Sequence, residues 1–303
     1  MLVTICTATY NRGYILHNLY NSLKKQSIKN FEWILIDDGS TDNTKTLAEI
    51  WENDPERKFK FIYIYQDNQG KMNSVNNGLD LAHGDLFYVI DSDDYMPENT
   101  VERIIYWAKT IDKDKYAGIC GLRCHMNGNL IGTTFPGKYI DISVKDRSLY
   151  RIAGDKAEVW YTKIFRKYKF PVVSGEKFIT EAVSYLAMCE EEHKVVRFVN
   201  EPFCCCEYRT DGYTASSWKP FAENPKSTLL SMHIYLKYYR NSSYINKLRL
   251  KNIYVSPMLK SGKSLTWIHR TSNISYTDLL AIIIGARFKR ILKRLFIYKL
   301  FMK

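Results

Sequence analysis

Two apolar runs that end abruptly in acids constrain this chain most. Residues 33–40 read Trp-Ile-Leu-Ile-Asp-Asp-Gly-Ser, and residues 86–94 read Leu-Phe-Tyr-Val-Ile-Asp-Ser-Asp-Asp. A short apolar run bounded by turn residues has the pattern of a fully buried strand. Acids at its end emerge at the rim of a sheet, and in open α/β sheets ligands bind beyond the carboxyl ends of the strands. Two acidic rims in one domain predict a site for a polyanion held through a hard divalent cation.

The remaining apolar residues give an alternating order. Strands are expected at 2–7, 32–36, 59–65 and 86–90. Ile15, Leu16, Leu19 and Leu23 fall on one helical face, as do Leu47, Ile50 and Trp51, then Met72, Val75, Leu79 and Ala82, and finally Val101, Ile104, Ile105 and Ala108. Such a βαβαβαβα order predicts an α/β fold built on a doubly wound parallel sheet. Past about residue 117 the spacing loosens. Residues 117–123, 158–165, 194–199 and 203–209 read as strands around one helix at roughly 180–191, so antiparallel strands are expected on one edge. Beyond Pro225 the chain turns helical, with Leu229, Leu230, His233, Ile234 and Tyr238 in periodic positions. A linker is expected at 261–264 and a last helix from near Tyr276.

At 303 residues and 46% hydrophobic, the chain can bury a sizeable core. Its net charge of +12 is uneven: residues 287–303 hold seven Lys or Arg and no acid, and without them the balance is +5. A mildly basic body argues against nucleic acid as a partner and places the excess in a tail. Within 279–303, Ile291, Leu292, Leu295, Phe296 and Leu300 share a helical face while Lys289, Arg290, Lys293 and Arg294 cluster elsewhere. A basic amphipathic helix predicts docking on an anionic membrane surface; a helix packed on the domain with a solvated basic side is the alternative. A strand-like run begins at residue 2 without a basic leader, and no apolar run approaches the ~20 residues that span a bilayer. The expected location is cytoplasmic, peripheral on the inner face of the membrane. The seven cysteines then read as reduced, buried thiols.

The loops carry the chemistry. Thr-Ala-Thr-Tyr-Asn-Arg at 7–12 offers hydroxyls, a ring and a cation at the rim. A planar base could stack on Tyr10, and Asp38 could accept a hydrogen bond from the imide of a uracil. Asp37, Gly39 and Ser40 are turn types and Asp42 is a capping type, so Asp37 reads as structural and Asp38 as ligand-facing. Gly70 permits a tight backbone path before Lys71, a point charge for a phosphate. Asp91, Asp93 and Asp94 repel one another unless a cation intervenes, and Mg²⁺ or Mn²⁺ is held by one or two carboxylates plus phosphate oxygens. The plainer reading is a solvated acidic turn with Asp94 or Glu98 capping the next helix.

Taken in order, 7–12, Asp-Asp-Gly-Ser-Thr-Asp-Asn-Thr at 37–44, Asn-Gln-Gly-Lys at 68–71, Asn-Asn-Gly-Leu at 76–79 and Asp-Ser-Asp-Asp at 91–94 resemble the GT-A-fold, family 2 glycosyltransferases over roughly residues 1–215. The resemblance implies a GT-A (Rossmann-like) mixed sheet flanked by helices at 1–220. Its nucleotide-sugar-binding half would be 1–116 and its acceptor-binding half 117–220, with 221–303 a helical extension. It implies Thr7, Tyr10, Asp38 and Lys71 as nucleotide contacts. Asp91, Ser92 and Asp93 look like the metal motif, with Asp93 the direct ligand. It also implies inversion at the anomeric carbon, which needs a general base in the second half. Relatives commonly carry a Glu-Asp pair there; here 175–182 reads Gly-Glu-Lys-Phe-Ile-Thr-Glu-Ala, which makes Glu181 the candidate base. Residues 206–212 look like the same subgroup, with Arg209 placed to help close over a diphosphate. The processive signature Gln-x-x-Arg-Trp is absent, which favours addition of a single sugar.

The resulting expectation is a metal-dependent transferase moving one sugar from a nucleotide-sugar donor, with a UDP-sugar the favoured class, to a lipid-linked saccharide in surface-polysaccharide assembly. A nucleotidyltransferase acting on sugar phosphates would show a Gly-rich loop after the first strand, which 7–12 lacks. A catalytically inactive sugar-nucleotide-binding protein is opposed by the intact acids and favoured by Ala182.

Overall fold

The computed structural model describes residues 1–206 and 218–285. Two compact units make up the chain, Met1–Ala215 and Ser216–Lys303. The second carries 17 Lys and Arg against 2 acids, a balance of +15, and the remainder carries 27 against 30, a balance of −3.

The alternating half of the first unit runs β1 (Val3–Thr9), α1 (Gly13–Lys24), β2 (Phe31–Asp37), α2 (Thr44–Glu52), β3 (Lys60–Tyr65), α3 (Lys71–Leu81), β4 (Leu86–Val89) and α4 (Thr100–Ala108). β1 pairs in parallel with β2 and with β4, and β3 continues the sheet beyond β2. Ile5, Trp33, Ile34, Leu35 and Leu86 are fully buried, as the continuous apolar runs of a parallel sheet require. The expected helical faces are buried on α1, α3 and α4. On α2 the face holds in part: Trp51 is buried and Leu47 half-buried as expected, but Ile50 is exposed, and Thr44 and Ala48 face inward.

The rest of the unit comprises β5 (Tyr116–Cys124), β6 (Leu130–Ile131), β7 (Tyr139–Ile142), a 3-10 turn (Val144–Ser148), β8 (Lys156–Tyr161), α5 (Thr162–Lys167), α6 (Ala182–Glu191) and β9 (Val195–Cys205). The nine-stranded sheet has the order β3-β2-β1-β4-β8-β5-β9-β7, with β6 paired to β5. β8 is antiparallel to both β4 and β5, which gives the mixed edge.

Two strand expectations are corrected. The strand expected at 158–165 stops at Tyr161, which lies opposite Leu86, the first residue of β4; Thr162 makes one more backbone bond, to the Asp85 carbonyl (3.0 Å), and the ladder ends. Thr162 also bonds back to the Gly84 carbonyl through its hydroxyl (2.7 Å) and α5 begins. The strands expected at 194–199 and from 203 are one strand, β9. Its register against β5 shifts around Pro202, which has no N–H to give the ladder.

In the second unit α7 (Lys219–Glu223), α8 (Pro225–Tyr238), α9 (Tyr244–Lys260), α10 (Leu265–Ser272) and a helix at 276–285 surround Met232, Val255, Met258, Ile268 and Leu279. The inward face of α8 holds Ser227, Leu229, Ser231 and Met232, whereas His233 is exposed. Serine is tolerated inside because the Ser231 hydroxyl donates to the Ser227 carbonyl within the helix (2.8 Å). Leu279 and Ile282 belong to this core, so the segment expected as a tail from 279 starts inside the unit. Residues 287–303, with Ile291, Leu292, Leu295, Phe296 and Leu300, lie outside the described residues, as does Arg209. Among the described residues no helix is long and apolar enough to cross a membrane. All seven cysteines are buried and free; burial pushes the Cys6 thiol up to about 12.

Candidate active site

β1, β2 and β4 end side by side, and the segments that follow them line one cleft of about 780 Å³. Tyr10 stands at its edge, half exposed with its ring available for stacking. The structure does not bring the Thr7 side chain there. Thr7 is fully buried deeper in β1, and its hydroxyl accepts from the Trp33 indole (3.1 Å). Thr9 lines the cleft instead, with a buried hydroxyl that has no hydrogen-bond partner among the described residues.

The two acids after β2 divide their work. Asp37 accepts from the Ser40 amide (2.8 Å) and the Tyr63 hydroxyl (2.8 Å), which fixes the turn around Gly39 at φ +86°. Asp38 lines the cleft but is only 3% exposed. It accepts from the Gln66 side chain (2.7 Å) and the amides of Gln69 (2.9 Å) and Gly70 (2.8 Å). A carboxylate has about four acceptor positions, so one remains for a ligand. Gly70 sits at φ +92°, and a Cβ there would lie 2.1 Å from the Lys177 carbonyl oxygen. No other residue type fits.

Lys71, the first residue of α3, joins the two sides of the cleft. Its ammonium lies 2.6 Å from Asp91 and 3.0 Å from Glu181. Burial disfavours the Lys71 charge, but the two carboxylates outweigh it and raise its pKa. Burial likewise works to raise Asp91, and Lys71 overcomes it and holds Asp91 below its usual value. Asp94 is buried and paired with Arg123 of β5 at 2.9 Å, not exposed as a helix cap. Ser92 is buried and lines the cleft. Asp93 makes no ion pair among the described residues; burial and the neighbouring Asp91 both raise its pKa.

Among the described residues no group of three or more His, Cys, Asp or Glu is placed to hold a metal ion by itself. The residues nevertheless fit a hard divalent cation. Asp91 and Asp93 are half-buried carboxylates that repel one another, and Mg²⁺ or Mn²⁺ sites typically use one or two carboxylates with the rest supplied by substrate oxygens.

A sequence model of the family described as "Glycosyl transferase family 2" matches residues 4–168, more than half of the chain. The chain belongs to glycosyltransferase family 2. The GalNAc(5)-diNAcBac-PP-undecaprenol beta-1,3-glucosyltransferase of Campylobacter jejuni is 27% identical over 205 residues, covering 64% of this chain and 63% of that protein. The chain thus spans less than two thirds of that relative's length. Among solved structures, residues 1–349 of S. aureus TarS in complex with UDP-GlcNAc give a TM-score of 0.58 at 19% identity, covering 85% of this chain and 72% of that one. The mannosyltransferase PcManGT of Pyrobaculum calidifontis, in complex with GDP-Man and Mn²⁺, gives 0.53 at 14% identity, covering 94% and 79%. The fold of this family 2 member is the GT-A arrangement.

The chain brings Tyr10, Asp38, Lys71, Asp91, Ser92, Asp93 and Glu181 to one cleft. Sequence reasoning missed Arg123, Arg147 and Glu158, which line it too. For Glu158 a signal existed. Lys156, Glu158 and Trp160 alternate with Ala157 and Val159 on β8, the period-2 pattern of a strand with one polar side. Burial pushes Glu158 up to about 7 against the pull of Arg147 and Arg123.

Proposed function

We propose that this family 2 member transfers a single sugar, with inversion, from a nucleotide diphosphate sugar to a saccharide acceptor. The observation that carries the reading is Lys71, which ties the acidic motif after β4 to Glu181 across the cleft. Donor binding belongs to the rim of residues 1–116, with Tyr10 stacking on the base, Asp38 on its imide and Lys71 exchanging a carboxylate for a phosphate. Asp93 and Asp91 would hold Mg²⁺ or Mn²⁺, which when bound stabilises charge on the departing diphosphate. Residues 117–220 supply the acceptor side, where Glu181 removes the proton from the attacking hydroxyl. A UDP-linked donor is favoured because a structure of similar fold is a complex with UDP-GlcNAc. A lipid-linked acceptor is favoured by the name of the Campylobacter relative and by the +15 balance of the C-terminal unit, which suits an anionic membrane surface on the cytoplasmic side.

The test is a thermal-shift screen of nucleotide sugars with Mn²⁺ present. A ligand that binds only the folded state adds about 2.7 kcal/mol at 100 times its Kd. A UDP-sugar should raise Tm and EDTA should reverse the rise. No shift with any nucleotide sugar would remove the reading.

A further inference from the structure

Glu158 lines the cleft and has no part in the chemistry described so far. Tyr185 lies one turn beyond Glu181 along α6, and its ring packs on Trp160 with centroids 4.7 Å apart. Trp160 is two residues from Glu158 on the same face of β8. The helix edge that carries Glu181 therefore packs over the strand face that carries Glu158. Among the described residues Glu158 has one ion pair, a long contact of 3.9 Å to the Arg147 guanidinium. Glu181, by contrast, is held by Lys71 at 3.0 Å.

We propose that Glu158 is a proton-relay residue that takes the acceptor proton from Glu181. The inference rests on the reading of Glu181 as base. In the step, the acceptor O–H bond breaks as its oxygen bonds the anomeric carbon. The bond from that carbon to the diphosphate oxygen breaks, and the leaving group takes the electron pair. The proton passes to Glu181, then to Glu158, and is lost to water on product release. Glu158 acts through Glu181 and does not touch the transferred sugar. The groups that face it are Cys120 and Arg123 from β5, Arg147 from the 3-10 turn, Glu181 and Tyr185 from α6, and Lys156 on its own strand. Burial dominates this set and raises the proton affinity of Glu158 to about 7, so the relay is open above that pH and closed below it.

The test uses the full chain with UDP-GlcNAc, UDP-glucose and UDP-galactose in Mn²⁺, measuring UDP release as a function of pH. For wild type, kcat should rise through a limb near pH 7. Glu158→Gln should lower kcat roughly tenfold or more, leave the donor KM unchanged and lose the limb. Glu158→Asp should restore part of the rate and shift the limb. A difference infrared band of a protonated carboxyl, present at pH 6 and absent at pH 8.5, should vanish in Glu158→Gln. A Glu158→Gln enzyme within twofold of wild type with its limb intact overturns the relay, while an inactive Glu181→Gln beside it leaves the base reading standing. An active Glu181→Gln removes the base reading and the relay together. Should Glu158→Gln not fold, an unmoved limb in Glu158→Asp overturns the proposal.

Discussion

The two units of the chain differ in how they treat charge. In the first, balance −3, three cations of the cleft face carboxylates: Lys71 faces Asp91 and Glu181, Arg123 faces Asp94, and Arg147 faces Glu158. In the second, balance +15, two acids stand among seventeen cations, and one of them, Asp278, bridges Tyr244 and Lys251. Charge that performs chemistry is matched locally, since an unmatched buried charge is costly. In the second unit the excess of cations over acids is set by composition, and we propose that it serves a large external anion. The difference teaches that reaction and adhesion should be separable by mutation.

Four experiments press on that separation. The largest effect is expected for Asp93→Asn, which should abolish divalent-dependent nucleotide binding and transfer while liposome co-sedimentation stays at the wild-type level. Activity of this variant in EDTA would end the metal reading. Glu181→Gln should cut transfer about a hundredfold with donor binding kept, the usual scale of general-base loss; calorimetric titration with UDP beside a rate assay separates the two. Third, removing residues 286–303 should weaken co-sedimentation with anionic vesicles and spare transfer to a short soluble acceptor. Each basic residue near such a surface contributes about 1 kcal/mol, and high salt should reduce the difference. The cut belongs there and not at 279, since Leu279 and Ile282 are core. Equal sedimentation of both forms would return the excess charge to a role in solubility alone.

The smallest effect concerns stability. A carboxyl held above its unfolded value binds more protons in the folded state, so stability falls as pH rises from about 4.5 toward 7. Wild-type Tm should decline across that window from the Glu158 contribution, and Glu158→Gln should flatten the curve. A parallel decline in both would reassign the titration.

Much of the fold was legible because β2 and β4 announce themselves as apolar runs that end in acids, and Asp38, Asp91 and Asp93 after them reach the cleft. The second half was less legible for physical reasons. Where β8 stops depends on the length of β4, and whether β9 is one strand or two depends on how β5 absorbs Pro202. Neither is a local property. In the site, five motifs in order placed most of the cleft rim. Thr7 and Thr9 share a strand period, and only the depth of the strand end decided which one meets the cleft. Glu158 was hidden because an acid within a strand is ambiguous until the face it points from is known.

The close approach of Gly70 to the Lys177 carbonyl bears on modularity. Residues 1–116, proposed to bind the donor, and the half that follows, proposed to bind the acceptor, look like parts that could be exchanged to make hybrids with new specificities. Here the two halves meet backbone to backbone, so no side chain can give way to absorb a mismatch. A chimaera that imports residues 1–116 must bring a loop shaped like 175–182 with it, and the boundary of the transplantable piece is therefore set by a contact between halves and not by the point where the sequence pattern changes.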